Sequence, residues 1–389
     1  MELCNFLNRR IRVMHVFSTW AMGGSERMLT HLIPNFDESR FESCLVCFNS
    51  PSFATREWEA AGIRVIYLNM DKLVSVRGSI RIYPVIRDFR PDVLMVWGLR
   101  ANLMTRFVAG LCRVPVLISP QRGVEEWKGR LAVFLEKATS VFVDMYIGNA
   151  KACCEMLAKR ERIPRRKLHV IPNGIDFRIP DDAELQVEEL KKQYHIPSDH
   201  MVIGTVGRLH PIKGHEFLIQ AAQLILKEFP KTVFIFLGKD VRNGELQNMV
   251  LFKGLQDKIL FPGYSKDVAV WLKCFDIFVL PSLSEGMPVS VLEAMYCALP
   301  VVATDVGGVA EVVVHQETGI LVPPADPVLL AKEIKYLLNN PERRDILGQN
   351  GRNRAEKNFT VEIMVKNYQD IFVKLLSEAL SKKKLPTCA

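Results

Sequence analysis

Apolar positions along the chain follow two rhythms. Short runs that are apolar at every residue, such as Ile277-Phe278-Val279-Leu280, read as strands covered on both faces, and stretches with apolar residues three or four apart, such as Val289, Leu292, Met295 and Leu299, read as helices. In the first half strands are expected at Ile11–Ser18, Phe41–Phe48, Arg64–Tyr67, Asp92–Trp97, Val116–Ser119 and Met145–Gly148. Helices are expected near Ser52–Ala61, Ile80–Phe89, Asn102–Leu111, Leu131–Thr139 and Lys151–Lys159. Such alternation predicts a parallel sheet with helices on both faces.

Ile171-Pro172-Asn173-Gly174-Ile175-Asp176 interrupts the rhythm with turn residues, and a charged run from Asp181 to Lys192 follows, so a domain boundary is expected there. The second half restarts the same beat, with strands at Met201–Val206, Thr232–Leu237, Ile259–Phe261, Ile277–Leu280, Val301–Thr304 and Gly319–Val322. Helices are expected at His215–Phe229, at Val328–Leu338 and, after a polar break at Arg352–Asn358, at Val361–Leu380; Lys382-Lys383-Lys384 reads as a frayed tail. The expectation is an α/β chain of two parallel-sheet domains, residues 1–178 and 179–358, with the helix at 360–380 returning to the first. A chain of 389 residues is long enough to need two cores.

With 49% hydrophobic and 24% charged residues the composition is that of an ordinary globular protein. No apolar run reaches about 18 residues, and the opening MELCNFLNRRIRVMHVF has no uninterrupted signal-like core, so a cytoplasmic location is expected. Nine scattered cysteines fit a reducing compartment, and Cys44 and Cys47, inside a strand-like run, read as core thiols rather than half a zinc site. The net charge of +8 suits anionic small molecules, an anionic membrane surface or merely a solvated basic surface. No helix-turn-helix, RNP or basic-aromatic signature supports a nucleic-acid partner.

Candidate chemistry gathers at the ends of strands. After Ile277–Leu280 comes a loop, Pro281 to Met287, and Pro288 suits the first turn of a helix. Met287, read as the residue before that helix, cannot cap it, and uncapped N–H groups at a helix start favour an anion. Glu285 and Glu293 flank the place, and a rise of roughly 7.5 Å from Pro288 to Glu293 lets two carboxylates accept hydroxyls on either side of an anion. Sugar, diphosphate and ribose have that layout; the plainer alternative is two solvated carboxylates. In the loop Gly207–Gly214, Arg208 and Lys213 offer a guanidinium fork and a point charge for a diphosphate, or are ordinary loop cations. Gly23-Gly24, in the loop before the first helix, allows close backbone approach to a ligand or makes a tight turn. Neither GxGxxG nor GxxxxGK[ST] occurs.

GGSER, IPNGID, GRLHPIKG and above all EGMPVSVLE, continued by AMYCALPVVATDVGGVAEVV and TGILVPP, carry a resemblance over nearly the whole chain. The sequence resembles the retaining nucleotide-sugar glycosyltransferases of the GT-B fold, family 4 or "group 1". The resemblance implies two Rossmann-like domains facing across a cleft, a UDP- or GDP-linked sugar held by the C-terminal domain, a glycan or polyprenyl-diphosphate-linked acceptor, and a place in cell-surface polysaccharide biosynthesis. It gives Arg208 and Lys213 to the diphosphate, Glu285 to the transferred sugar and Glu293 to the ribose. Backbone N–H groups of Gly286, Met287, Val289 (after Pro288) and Gly24 would touch phosphate or sugar. The base would lie near Gly238-Lys239-Asp240 or Gly263-Tyr264. No metal or other cofactor is expected, because no Asp-x-Asp pair sits in a suitable loop and the two cations supply the charge.

One departure stands out. Where many relatives carry a His after the strand at Val116–Ser119, this chain has Pro120-Gln121-Arg122-Gly123, and Arg122 is a candidate contact to donor or acceptor oxygens. For the acceptor side, Trp97, Arg100, Arg106, Arg113, Arg122, Trp127, Lys128 and Arg130 are read as facing the cleft or an anionic bilayer, against scattered surface charge. Two other functions fit the same scaffold: a nucleotide-sugar isomerase or hydrolase, and a non-catalytic sugar-nucleotide-binding subunit.

Overall fold

The computed structural model describes residues 9–18, 24–51, 53–70, 76–123 and 129–384. The chain divides into two compact units, residues 1–174 with 361–389, and residues 175–360.

In the first unit strands and helices alternate: β1 (Ile11–Phe17), α1 (Gly24–Leu32), β2 (Phe41–Cys47), α2 (Phe53–Ala60), β3 (Val65–Tyr67), α3 (Val76–Phe89), β4 (Val93–Val96), α4 (Leu99–Leu111), β5 (Val116–Gln121), α5 (Arg130–Thr139), β6 (Met145–Gly148), α6 (Lys151–Arg160) and β7 (Leu168–Val170). The seven strands form one parallel sheet in the order β3-β2-β1-β4-β5-β6-β7. Strands such as β4, buried at every residue, are apolar throughout because helices cover both faces. One face packs on α1, α2 and the last helix, through Leu29, Trp58 and Phe372; the other packs on α3 and α4, through Ile82, Met104 and Val108.

The second unit runs α7 (Ala183–Gln193), β8 (Met201–Val206), α8 (His215–Ile225), β9 (Thr232–Leu237), α9 (Glu245–Phe252), β10 (Ile259–Gly263), α10 (Val268–Cys274), β11 (Ile277–Leu280), α11 (Val289–Tyr296), β12 (Val301–Thr304), α12 (Val309–Val312), β13 (Ile320–Val322), α13 (Pro327–Asn339) and α14 (Pro341–Asn358). Its six parallel strands are ordered β10-β9-β8-β11-β12-β13. The closing helix, α15 (Val361–Lys384), belongs to the first unit. It continues through Lys382–Lys384, so the expected frayed tail is helical up to there.

Five helices depart from the sequence reading, the short α12 among them because no helix was expected after Gly307-Gly308. α7 forms in the charged run expected to be a linker, α14 forms across the expected polar break, and α9 and α10 occupy stretches where no helix was expected. Cys44 and Cys47 are buried on β2, and burial pushes the Cys44 thiol up to about 12, as suits inert core thiols. Among the described residues no helix is long and apolar enough to cross a membrane.

Candidate functional site

In an open parallel sheet, ligands bind beyond the carboxyl ends of the strands where the strand order reverses. In the second unit that reversal lies between β8 and β11, whose following loops are 207–214 and 281–288. The residues singled out in the sequence, Arg208, Lys213 and Glu285, all sit there. Leu283 N–H donates to the Ile212 carbonyl at 2.8 Å, which ties the two loops together.

Lys213 closes a short 3-10 turn, Pro211–Lys213, and Gly214 follows at φ 62° with no room for a Cβ against the Pro281 carbonyl. That conformation turns the Lys213 side chain's loop toward β11, and Nζ lies 2.6 Å from Glu285 Oε1. The same oxygen accepts the Ser282 hydroxyl at 2.6 Å, and the Ser282 carbonyl accepts Thr304 Oγ1 at 2.6 Å. Glu285 and Glu293 are both buried, at 9% and 5% exposure, so neither is a solvated surface carboxylate. Gly307 lies at φ 56°, where a Cβ would fall on the Glu285 carbonyl, and Gly308 N–H donates to the Gly286 carbonyl at 2.9 Å. Glu285 is thus held from three sides, by Lys213 of the loop after β8, Ser282 of the loop after β11 and Gly307 of the loop after β12. Ser282, Thr304 and Gly307 were not singled out in the sequence; the Gly307-Gly308 pair was the available signal.

The loops after β8, β9 and β10 are stitched in turn. Gly207 N–H donates to the Leu237 carbonyl at 2.9 Å, Gly238 N–H to the Gly263 carbonyl at 2.8 Å, and Leu209 N–H to the Lys239 carbonyl at 2.9 Å. Asp240 is committed to its own turn, accepting from Arg242 N–H and Gly244 N–H at 2.7 Å each. Arg208 is exposed. The local potential is positive: burial first, then the charges of Lys213 and Arg242, pull the buried His215 imidazole down to about 3. His210 is lowered by burial and then by Arg208, Lys213 and Arg242. Tyr264, just past β10, is half exposed and lines a surface hollow of about 340 Å³ beside Tyr194 and Trp271 rather than the Lys213–Glu285 pair.

The capping argument needs one correction. α11 begins at Val289, so the cap position is Pro288, not Met287, and Pro288 makes no side-chain capping bond. The helix start remains uncapped, for a different residue's reason: proline has neither a polar side chain nor an N–H.

In the first unit the order reverses between β1 and β4. Gly23 lies outside the described residues, as do Trp127 and Lys128; Gly24 opens α1. Trp97 is buried inside the first unit. It is 2% exposed and stacks on His15 with ring centroids 6.1 Å apart, because β4 is covered on both faces to its end. Arg106 is fully buried, 3.5 Å from Glu136, and donates to the Ser119 hydroxyl at 2.9 Å, so it too leaves the surface set. Arg100 is half-buried and donates to the Ser18 hydroxyl at 3.0 Å and the Met70 carbonyl at 2.6 Å. Arg122, just past β5, is a half-buried cation 5.9 Å over the Trp97 ring and near Tyr368 of α15; burial lowers its pKa. Arg113 and Arg130 remain exposed.

Known proteins resemble this chain in both units. Residues 186–354 match the family described as Glycosyl transferases group 1, and residues 22–178 match Glycosyltransferase Family 4. The chain is 23% identical to the UDP-Gal:alpha-D-GlcNAc-diphosphoundecaprenol alpha-1,3-galactosyltransferase of Escherichia coli, over 94% of this chain and 98% of that protein. It is 26% identical to the capsular polysaccharide biosynthesis glycosyltransferase CapM of Staphylococcus aureus, over 73% of this chain and 77% of that one. Among solved structures, Anabaena Alr3699/HepE in complex with UDP-glucose superposes with a TM-score of 0.82 at 19% identity, covering 96% of this chain and all of the other. The fold is therefore GT-B, two Rossmann-like units each with a parallel sheet. With one family match in each unit, the chain belongs to the group 1, family 4 glycosyltransferases and is an enzyme of that class.

Proposed function

We propose that the enzyme moves a sugar from a UDP- or GDP-linked donor to a glycan or polyprenyl-diphosphate-linked acceptor in cell-surface polysaccharide assembly, with retention of configuration. The observation that carries this reading is the Lys213–Glu285 pair at the strand-order reversal of the second unit. The ammonium has three N–H donors, so one can hold Glu285 while the others meet a diphosphate. Exposed Arg208 in the same loop adds a bidentate fork for phosphate oxygens.

When the anomeric C–O bond breaks, its electron pair leaves with the nucleoside diphosphate. Lys213, Arg208 and the uncapped start of α11, whose first N–H groups belong to Val289 and its successors, stabilise that growing charge; a single preorganised donor of this kind is typically worth about 3 to 4 kcal/mol. Gly286 and Met287 line the approach to that helix end. Glu285, fixed by Lys213 and Ser282, accepts from hydroxyls of the transferred sugar, and buried Glu293 accepts from the ribose. Gly263 and Tyr264 bound the base. The relatives named above act on an undecaprenol-linked acceptor and in capsular polysaccharide biosynthesis by their own descriptions, which supports this acceptor class. The reading uses protein cations and no metal.

The test is a panel of nucleotide sugars followed by thermal unfolding. A donor at a hundred times its Kd should stabilise the protein by about 2.7 kcal/mol. Nucleoside diphosphate release that requires acceptor establishes transfer; release without acceptor would reassign the protein as a hydrolase, and binding without any release would make it a non-catalytic subunit.

A further inference from the structure

α5 is built inside out. Among its ten residues, RLAVFLEKAT, the buried one is Glu136, while Leu131 is 70% and Phe134 66% exposed. A helix lying on a sheet ordinarily turns its apolar stripe to the core. Here the inward carboxylate answers Arg106 of α4, 3.5 Å away, and accepts Asn102 Nδ2 at 3.0 Å. That buried pairing sets the rotation of α5 and leaves Leu131 and Phe134 facing out.

The apolar surface continues onto neighbouring elements. α4 packs along α5 and exposes Phe107 and Leu111, and the turn after α5 exposes Val141 and meets Phe107 edge-on through Phe142, ring centroids 6.1 Å apart. Scattered exposed apolar residues are ordinary, but a contiguous set of them marks an interaction surface.

Charge decides what the surface fits. Residues 99–142 carry seven cations and three carboxylates, Glu125, Glu126 and Glu136, and Glu136 is buried. Arg113, Arg130 and Lys137 are exposed on the same helices. Asp144, just past the turn, accepts Leu117 N–H at 2.8 Å. A second copy of the chain docking through the same face would set these cations against themselves, since a two-fold interface pairs like with like. Aromatic and aliphatic side chains rimmed by an excess of exposed cations instead match an anionic headgroup layer over hydrocarbon.

We propose that this face of the first unit, α4, α5 and the turn 140–142, docks on an anionic phospholipid bilayer. Phe107, Leu131, Phe134 and Val141 enter the interfacial zone, and Arg113, Arg130 and Lys137 meet lipid phosphates. The inference takes from the proposed function only that a polyprenyl-linked acceptor resides in such a bilayer.

Flotation of the full-length protein with phosphatidylglycerol–phosphatidylcholine vesicles tests it, with no nucleotide sugar present. The protein should float with these vesicles, stay behind with pure phosphatidylcholine and be released by high salt. L131E/F134E should abolish flotation, and replacing Arg113, Arg130 or Lys137 by Gln should lower partitioning about fivefold per cation. Thermal unfolding of L131E/F134E should match the parent, since both side chains are exposed, and transfer to a water-soluble short-chain acceptor should persist. Equal flotation of L131E/F134E and parent, or no flotation of the parent, overturns the proposal. So does a dimer by sedimentation velocity that L131E/F134E dissociates in a protein that does not float. Flotation by a protein that transfers no sugar keeps the docking face and removes the transferase reading instead.

Discussion

Lys213 Nζ lies 2.6 Å from Glu285 Oε1, across 72 residues of sequence, and joins the loops that follow the two strands at which the sheet order reverses. Lys213→Ala removes a diphosphate cation and the counter-charge of a nearly buried carboxylate together. kcat/KM should fall by about two to three orders of magnitude, and stability by about 1 to 3 kcal/mol. Glu285→Gln keeps an acceptor for the Ser282 hydroxyl and should lower kcat with little loss of stability. Steady-state kinetics and urea unfolding separate the two effects; a Lys213→Ala enzyme within threefold of the parent would remove Lys213 from the donor site.

Gly307 holds Glu285 by its lack of a side chain. At φ 56°, with the Glu285 carbonyl where a Cβ would stand, Gly307→Ala must shift the loop 281–288 or the turn after β12. The left-handed backbone alone costs about 1 to 2 kcal/mol, and the clash adds to it. The expected outcome is a lower Tm and a raised donor KM. Gly308→Ala, whose φ is −93°, should cost less in both measurements.

The sheets were legible because parallel strands buried on both faces are apolar runs, and β6, β8, β9, β11 and β12 begin and end where the pattern places them. α14 was not legible, for the opposite reason. Its sequence PERRDILGQNGRNRAEKN is polar, and it docks through glycines: a Cβ at Gly348 would meet the Ala298 carbonyl, and Gly351 approaches Met295 and the Thr318 carbonyl. Contact made by missing side chains leaves no hydrophobic period. α10 is buried at Val268, Val270, Trp271, Leu272 and Cys274, too many positions around one short helix for a stripe to show. In the site, the residue types at Lys213 and Glu285 could be chosen from their loops, but their mutual contact depends on the strand order. Trp97 and Arg106 misled for a similar reason: polar or aromatic character was read as surface, whereas Arg106 is buried with Glu136 as its partner.

Arg122 stands 5.9 Å over Trp97 and near Tyr368, so it sits between the end of β5 and α15. If it positions α15, Arg122→Met and Tyr368→Phe should each destabilise by about 1 to 3 kcal/mol and the double variant by less than the sum. Transfer by Arg122→Met should then fall no further than by Tyr368→Phe. A rate loss confined to Arg122→Met, with stability unchanged, would instead make Arg122 a contact to donor or acceptor oxygens.

Acid sensitivity should come from two buried histidines. His15, stacked on Phe36 and Trp97, and His215, against Phe236, are each held near 3 by burial against an ordinary value of 6.5. The unfolded chain therefore takes up protons below about pH 6.5 that the folded chain refuses until about pH 3, so stability is lost as pH falls through that window. By pH 4 each histidine should have cost roughly 3 kcal/mol relative to neutral pH. Both ring nitrogens of His15 lack a hydrogen-bond partner among the described residues, so His15→Leu removes two buried polar atoms and should leave stability at pH 7 level or slightly higher. Urea unfolding across pH 4 to 7 should then show His15→Leu losing about half as much stability as the parent through this pair. An identical pH slope in parent and variant would mean that His15 becomes protonated in the folded protein, and that water reaches the ring between β1 and Trp97.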